Sequence, residues 1–250
     1  CSVRRQRQMC IRDRITTPTY ELELPSTGKK IKYRPFLVKE EKILILALES
    51  ENIKQITTSI KSILKECIQT RGVKIDTLPI FDIEYLFLNV RGKSVSEALD
   101  LLFTCPDDNK TTVPVKIYID EIKVVKSPDH NNDIKLDDKL TLRLKYPSLD
   151  EFIKSNFDFT SRDEGALEQS FEIIATCIDQ VYNEEESWAA SDCTKKELLE
   201  WVETLNTNQF KLIESFFTTM PKLSHTLKVK NPKTKVENDV TLEGLSSFFA

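Results

Sequence analysis

Nucleophilic catalysis by cysteine needs a base such as histidine within reach. The chain holds six cysteines and two histidines, His130 in the polar stretch PDHNND and His225 shortly after the helix stop at Pro221. A hydrolase would pair Cys105 or Cys177 with His225, but no spacing singles out either pair. Buried structural thiols and solvated imidazoles account for the same residues. Cys67, Cys105, Cys177 and Cys193 lie in the body of the chain without a close pair, so neither a disulfide framework nor a zinc site is expected. Asp107, Asp108, Asp137 and Asp138 lack the alternating Asp-x-Asp-x-Asp-Gly of a calcium loop and read as solvated turns. Five glycines, Gly28, Gly72, Gly92, Gly165 and Gly244, are too scattered for a phosphate-cradling loop. The expected catalytic, cofactor and metal residues are therefore none.

The segment LPIFDIEYLFLNVRGKSVSE is the most informative. Pro79 opens a short helix and Gly92 closes it directly after Arg91, the proline-first, glycine-last asymmetry of helices. Ile80, Phe81, Ile83, Leu86, Phe87, Leu88 and Val90 make it apolar around most of its circumference, which a helix buried on several sides requires. Two readings stay open, a central core helix of the monomer and a surface for a partner. Asp82 in the first turn and Arg91 in the last suit the helix dipole, and Glu84 and Arg91 share one stripe, where they either bracket a contact or solvate that face. The closing TLEGLSSFFA sets Leu242, Leu245, Phe248 and Phe249 on one helical face. The candidate partner-binding residues are Phe81, Asp82, Glu84, Tyr85, Phe87, Arg91, Leu245, Phe248 and Phe249, acting as apolar anchors with charges beside them.

Several elements must position these segments. Residues 19–36 alternate apolar and polar on both sides of Pro25-Ser26-Thr27-Gly28, the pattern of a β-hairpin. From residue 37 the period turns helical, with a dense apolar block to residue 48 and then Ile53, Ile56, Ile60, Ile63, Leu64 and Cys67 spaced by three and four. Ser50 is the expected cap of that second helix and Gly72 its end. Residues 101–146 read as a β unit, two strands around Pro106-Asp107-Asp108-Asn109 and a third in KLTLRLKYP. Helices are expected at 148–156, 166–182, 194–205 and 207–219, then a last hairpin in LKVKNPKTKVENDV. The fold class expected is α+β, mainly helical with antiparallel β-hairpins at both ends and a small central antiparallel β unit.

Residues 1–14, CSVRRQRQMCIRDR, resemble a translated sequencing-adapter read-through and are expected to lie outside the fold. The remainder, 15–250, reads as a single α+β domain with a possible β subdomain at 101–146. The adapter-like stretch holds five arginines and one aspartate, so leaving it out moves the net charge from −4 to about −8. That acidity lacks the basic footprint of a general nucleic-acid binder. The longest apolar run, 43–48, falls far short of a membrane-spanning helix, so a soluble protein with reduced thiols is expected, without nucleic-acid, membrane or small-molecule partners.

The stretches TYELELPSTGKKIKYRPFLVKEEKILILALES, LPIFDIEYLFLNVRGKSVSE, TCPDDNKTTVPV and LEGLSSFF follow one another in this order. In this the chain resembles the baseplate hub assembly proteins of T-even-type (T-four-like) tailed bacteriophages, over about residues 18–249. The resemblance implies a non-enzymatic tail morphogenesis protein, a built-in hub subunit or a hub assembly factor. Its implied partners are other phage baseplate hub proteins. It would work in the infected bacterial host cytoplasm during assembly or in the virion tail baseplate. A Cys-x-x-Cys pair at the last hairpin, in the style of a zinc ribbon, is also implied for relatives. Asn231 and Thr234 stand at those places here, so no metal is carried over. A generic adaptor for an unrelated protein and the Cys/His hydrolase are the alternatives.

Overall fold

A computed structural model of the chain describes residues 17–50, 52–151 and 164–244. Strands β1 (Tyr20–Glu23) and β2 (Lys30–Tyr33) pair antiparallel as a hairpin. Helices α1 (Val38–Glu49), α2 (Ile53–Cys67) and α3 (Ile80–Ser94) follow. Strands β3 (Ala98–Thr104) and β4 (Thr112–Tyr118) form a second hairpin. Short strands β5 (Lys123–Val125), β6 (Asp133–Lys135) and β7 (Thr141–Leu144) lead to helix α4 (Glu164–Cys177) and strands β8 (Ile178–Tyr182) and β9 (Ser187–Ala189). Helices α5 (Lys195–Glu203) and α6 (Thr207–Thr219) precede a long final pair, β10 (Lys222–Lys230) and β11 (Glu237–Glu243).

This arrangement overturns the expected mainly helical class with a central β unit. Eleven strands among the described residues form four small sheets, of order β1-β2, β11-β10-β5, β3-β4 and β6-β7-β8-β9. The strands read as one central unit divide among three of these sheets. The expected helix over 166–182 ends at Cys177, because Ile178–Tyr182 pairs with β7 on one side and β9 on the other. Helical spacing of apolar residues runs through that junction, and sheet pairing overrides it. The final hairpin belongs to a three-stranded sheet rather than being a terminal appendage, since its strand β10 lies in the centre and also pairs with β5. Leu242, expected on a C-terminal helix, is a buried residue of β11. The helix expected over 148–156 shows only its start, where Ser148 and Glu151 exchange side-chain to backbone bonds of 3.4 and 2.7 Å; the rest lies outside the described residues.

Two cap assignments also change. Asn52, not Ser50, caps α2, its Oδ1 accepting the N–H groups of Lys54 and Gln55 at 3.0 and 3.3 Å. Ser50 instead ends α1, donating to the carbonyl of Ala47 at 2.7 Å. Gly92 lies inside α3, which runs on to Ser94. A Cβ there would stand 2.7 Å from Ile119 Cδ1, so the missing side chain serves the close packing of helix against the β4–β5 connection rather than termination.

Two hydrophobic cores flank α3. The larger joins Leu44 of α1, Ile63 and Leu64 of α2, Leu142 of β7, Ile174 of α4 and Ile213 of α6 around Ile83, Leu86, Phe87 and Val90. The smaller gathers Leu99, Leu101, Ile117, Leu223, Val240 and Leu242 from the β3–β4 and β10–β11 pairs around Leu88. Adjacent residues of one helix thus serve opposite cores. The apolar coverage legible in the sequence has this cause.

His130 is buried, against the expectation of a solvated imidazole. Its Nδ1 lies 3.0 Å from Thr219 Oγ1 and its Nε2 3.0 Å from the Tyr146 hydroxyl. The ring also packs on Phe216 with centroids 5.0 Å apart. Burial, helped by the charge of Lys126, pushes its pKa below the ordinary histidine value. The folded protein therefore favours the neutral ring. The stability this contributes is complete above the unfolded value of about 6.5 and is lost as pH falls through the lowered folded value. Urea denaturation should show a lower midpoint at about pH 5 than at about pH 7.5, and His130→Gln should shrink that difference. An unchanged difference would remove His130 as its source.

Candidate functional site

Pro79 is the N-cap of helix α3, its backbone still extended with φ −55° and ψ 151°. The Pro79 carbonyl accepts the N–H groups of Asp82 and Ile83 at 3.1 and 3.2 Å, and Ile80 N–H donates to Pro147 at 3.2 Å. Among the candidate partner-binding residues, Phe81 and Phe87 are 1% and 0% exposed. Phe81 meets Tyr146 edge-on at 5.1 Å, and Phe87 belongs to the larger core. Asp82 is buried as well, accepting from the backbone N–H of Ser26 at 3.0 Å and from the Ser26 hydroxyl. Burial pushes its carboxyl above the usual range, and the two Ser26 bonds pull the other way. The pair ties the β1–β2 turn to the start of α3 and satisfies a carboxylate that would otherwise be orphaned. Glu84, Tyr85 and Arg91 are half-buried, with burial lowering the Arg91 guanidinium.

Glu84 connects this helix to the end of the described chain. A Cβ placed on Gly244 would lie 3.5 Å from Glu84 Oε1, at the positive φ of 69° that a glycine tolerates. Ile80, Phe81 and Glu84 line one wall of a cleft of about 270 Å³, and Met220, Lys222, Glu243 and Gly244 line the other. The ion pair between Lys222 and Glu243, 3.6 Å, sits at this cleft. The structure therefore brings the α3 segment and the start of the C-terminal segment together. Leu245, Phe248 and Phe249 lie outside the described residues.

A polar clasp joins two distant turns. Cys105–Thr111 and Asn231–Val236 are built alike, each with proline second, a residue of positive φ fifth (Asn109, 50°; Lys235, 64°) and that residue's N–H donating 2.9 Å back to the first carbonyl. The Asp107 carboxylate spans them, accepting from Asn231 Nδ2 at 3.0 Å, from Asn238 Nδ2 at 3.1 Å and from the Thr234 hydroxyl. These bonds hold its pKa below the usual carboxylate value. Asn231 Oδ1 is itself engaged by the N–H groups of Lys233 and Thr234 at 2.9 and 3.4 Å. The two positions implied for a metal-binding pair thus carry a hydrogen-bond network whose oxygens are already used, and they do not fit a zinc ion. Among the described residues no cluster of three or more histidine, cysteine, aspartate or glutamate side chains is placed to hold a metal.

The alternative of a hydrolase pairing Cys105 or Cys177 with His225 finds no support in the chemistry of the thiols. Burial pushes Cys67 up to about 11 and Cys177 upward as well. Cys105, with Asp107 and Asp108 close by, is also raised by desolvation. Such thiols stay protonated at neutral pH and are poor nucleophiles.

The sequence reading passed over two surfaces. Helix α1 turns Glu40, Leu44 and Ala47 inward and leaves Val38, Ile45 and Leu46 exposed by 80%, 50% and 55%. The available signal was the unbroken run of 43–48, which places more aliphatic side chains on a helix than one buried face accepts. An apolar hollow of about 440 Å³ also opens between β8–β9 and α5, bordered by Leu140, Val181, Trp188, Leu198 and Trp201.

Residues 17–250 match the family model described as T4 bacteriophage base plate protein. No curated protein and no solved structure matches the chain. Among the described residues no helix is long and apolar enough to cross a membrane.

Two outcomes check this geometry. Asn231→Ala removes a fully buried amide from the clasp and should cost about 1–3 kcal/mol in urea denaturation, because Asp107 and two backbone N–H groups lose their partner. Native-state iodoacetamide labelling followed by peptide mapping should leave Cys67, Cys105 and Cys177 largely unmodified while Cys193, which is exposed, reacts.

Proposed function

The chain belongs to the T4 bacteriophage base plate protein family, and on that premise we propose that it is a non-enzymatic morphogenesis protein of the baseplate hub, a hub subunit or a hub assembly factor. It acts by surface complementarity on other hub proteins, during assembly in the infected bacterial cytoplasm or in the virion tail baseplate. The raised thiol pKa values, and a clasp whose polar atoms are already spent on hydrogen bonds, support a role without catalysis.

The observation that carries the contact surface is the meeting of Glu84 with Gly244 at the α3 cleft. Gly244, the last described residue before Leu245, Phe248 and Phe249, lies beside α3. In this reading those three supply apolar anchors, and Glu84, Tyr85 and Arg91 supply the half-buried polar edge that fixes orientation. Phe81, Asp82 and Phe87 contribute by holding α3 rigid from behind rather than by touching the partner.

Pull-down of the tagged chain co-expressed with the tail genes flanking its reading frame, with light scattering on the eluate, tests the reading. Capture of a hub component in fixed stoichiometry is expected, and elution alone counts against it. Replacing Phe248 and Phe249 together by alanine should weaken that capture by about tenfold or more while leaving the circular dichroism melt nearly unchanged. A collapse of the melt would assign both rings to the protein's own core.

A further inference from the structure

We infer that the outward face of α1 is a two-fold contact with a second copy of this chain, with Lys42 of each copy set against Glu49 of the other. The inference goes beyond the hub reading and stands without it.

Glu40, Leu44 and Ala47 fix which side of α1 faces the core. At 3.6 residues per turn the opposite side carries Val38, Lys42, Ile45 and Glu49 in a row spaced by four, three and four, with Leu46 beside Ile45. All five are exposed. Monomeric proteins seldom leave aliphatic side chains this open side by side on one helix. Lys42 and Glu49 form no ion pair within the chain among the described residues.

The order of these residues identifies the occupant. In Lys42-Ile43-Leu44-Ile45-Leu46-Ala47-Leu48-Glu49, reading from either end toward the middle meets a charge, an aliphatic, a core residue and an aliphatic. The midpoint falls between Ile45 and Leu46, in the centre of the exposed side. An antiparallel second helix related by a two-fold axis at that midpoint presents the same patch to itself. Ile45 and Leu46 then pack on their own counterparts. Lys42 and Glu49 lie equally far from the axis, about 5 Å along the helix, so each lysine reaches the other copy's glutamate and the pair is made twice. Outside them Lys39 falls toward Asn52 and Glu41 toward Ser50, so no like charges are opposed. A partner of unrelated sequence would not require this symmetry of charge, whereas self-association does.

The contact is small, since one helix face per copy is buried, and a dissociation constant in the micromolar range is expected. Sedimentation velocity of the full chain up to about 100 µM should show a monomer–dimer equilibrium. Lys42→Glu and Glu49→Lys should each weaken dimerisation by about tenfold or more, because each homodimer then opposes like charges twice. Mixing the two variants in equal amounts should restore dimers, since the mixed pair regains opposite charges at both sites. Both residues are exposed, and unchanged thermal melts would show that the variants remain folded. A chain that stays monomeric over the whole range overturns the inference, whether another segment of the chain or a tail protein covers α1. So does a dimer that both single variants form as well as the parent, or one that mixing fails to restore. Capture of hub proteins by monomeric chain would leave the hub reading standing while this inference fell.

Discussion

The packing of α3 between two cores is the constraint on which the rest of the structure depends. Phe87 and Leu88 are neighbours in sequence and belong to different hydrophobic clusters, each with no exposure. A helix in that position keeps only a narrow, half-buried edge around Glu84, Tyr85 and Arg91, so its other flanks are closed by other means. Asp82 is closed by Ser26 of the first turn, and Gly92 gives up a side chain to let Ile119 approach. The β1–β2 turn, the aromatic group around Tyr146 and the two hairpins of the smaller core are all placed by their contact with this one helix.

Buried polar groups fix how these parts meet. Asp82 joins residues 56 apart in sequence, Asp107 and Asn231 join residues 124 apart, and His130 and Thr219 join residues 89 apart. Asp82, Asn231 and His130 are buried, where an unpaired polar group would be costly, so these bonds favour the arrangement of elements that satisfies all three. Apolar contact makes the cores compact, and these contacts select the register between them.

Local chemistry was legible in the sequence and long-range pairing was not. Turn residues marked the first hairpin, Pro79 marked the start of α3, and the Thr194–Glu197 capping pair marked α5, where the Thr194 N–H donates to Glu197 at 2.7 Å. Apolar density all around α3 correctly signalled burial on several sides, while the same density in α1 signals a face left open, and composition does not tell the two apart. The short strands β5 and β8 exist because partners distant in sequence, β10 and β7, supply their hydrogen bonds, and β5, β6, β8 and β9, with three to five residues each, carry too little period to announce them. His130 looked solvated because its neighbours are polar, and only the fold brings Tyr146, Phe216 and Thr219 around it. The candidate site divides along the same line. The α3 residues could be named from sequence, but their orientation, with Phe81, Asp82 and Phe87 inward and Glu84 beside Gly244, follows from contacts that the sequence alone does not order.

A helix shared by two cores also settles how the molecule comes apart. Neither cluster keeps its inner wall if α3 leaves, so loss of one exposes the apolar surface of the other, and the described parts have no independent melting of their own.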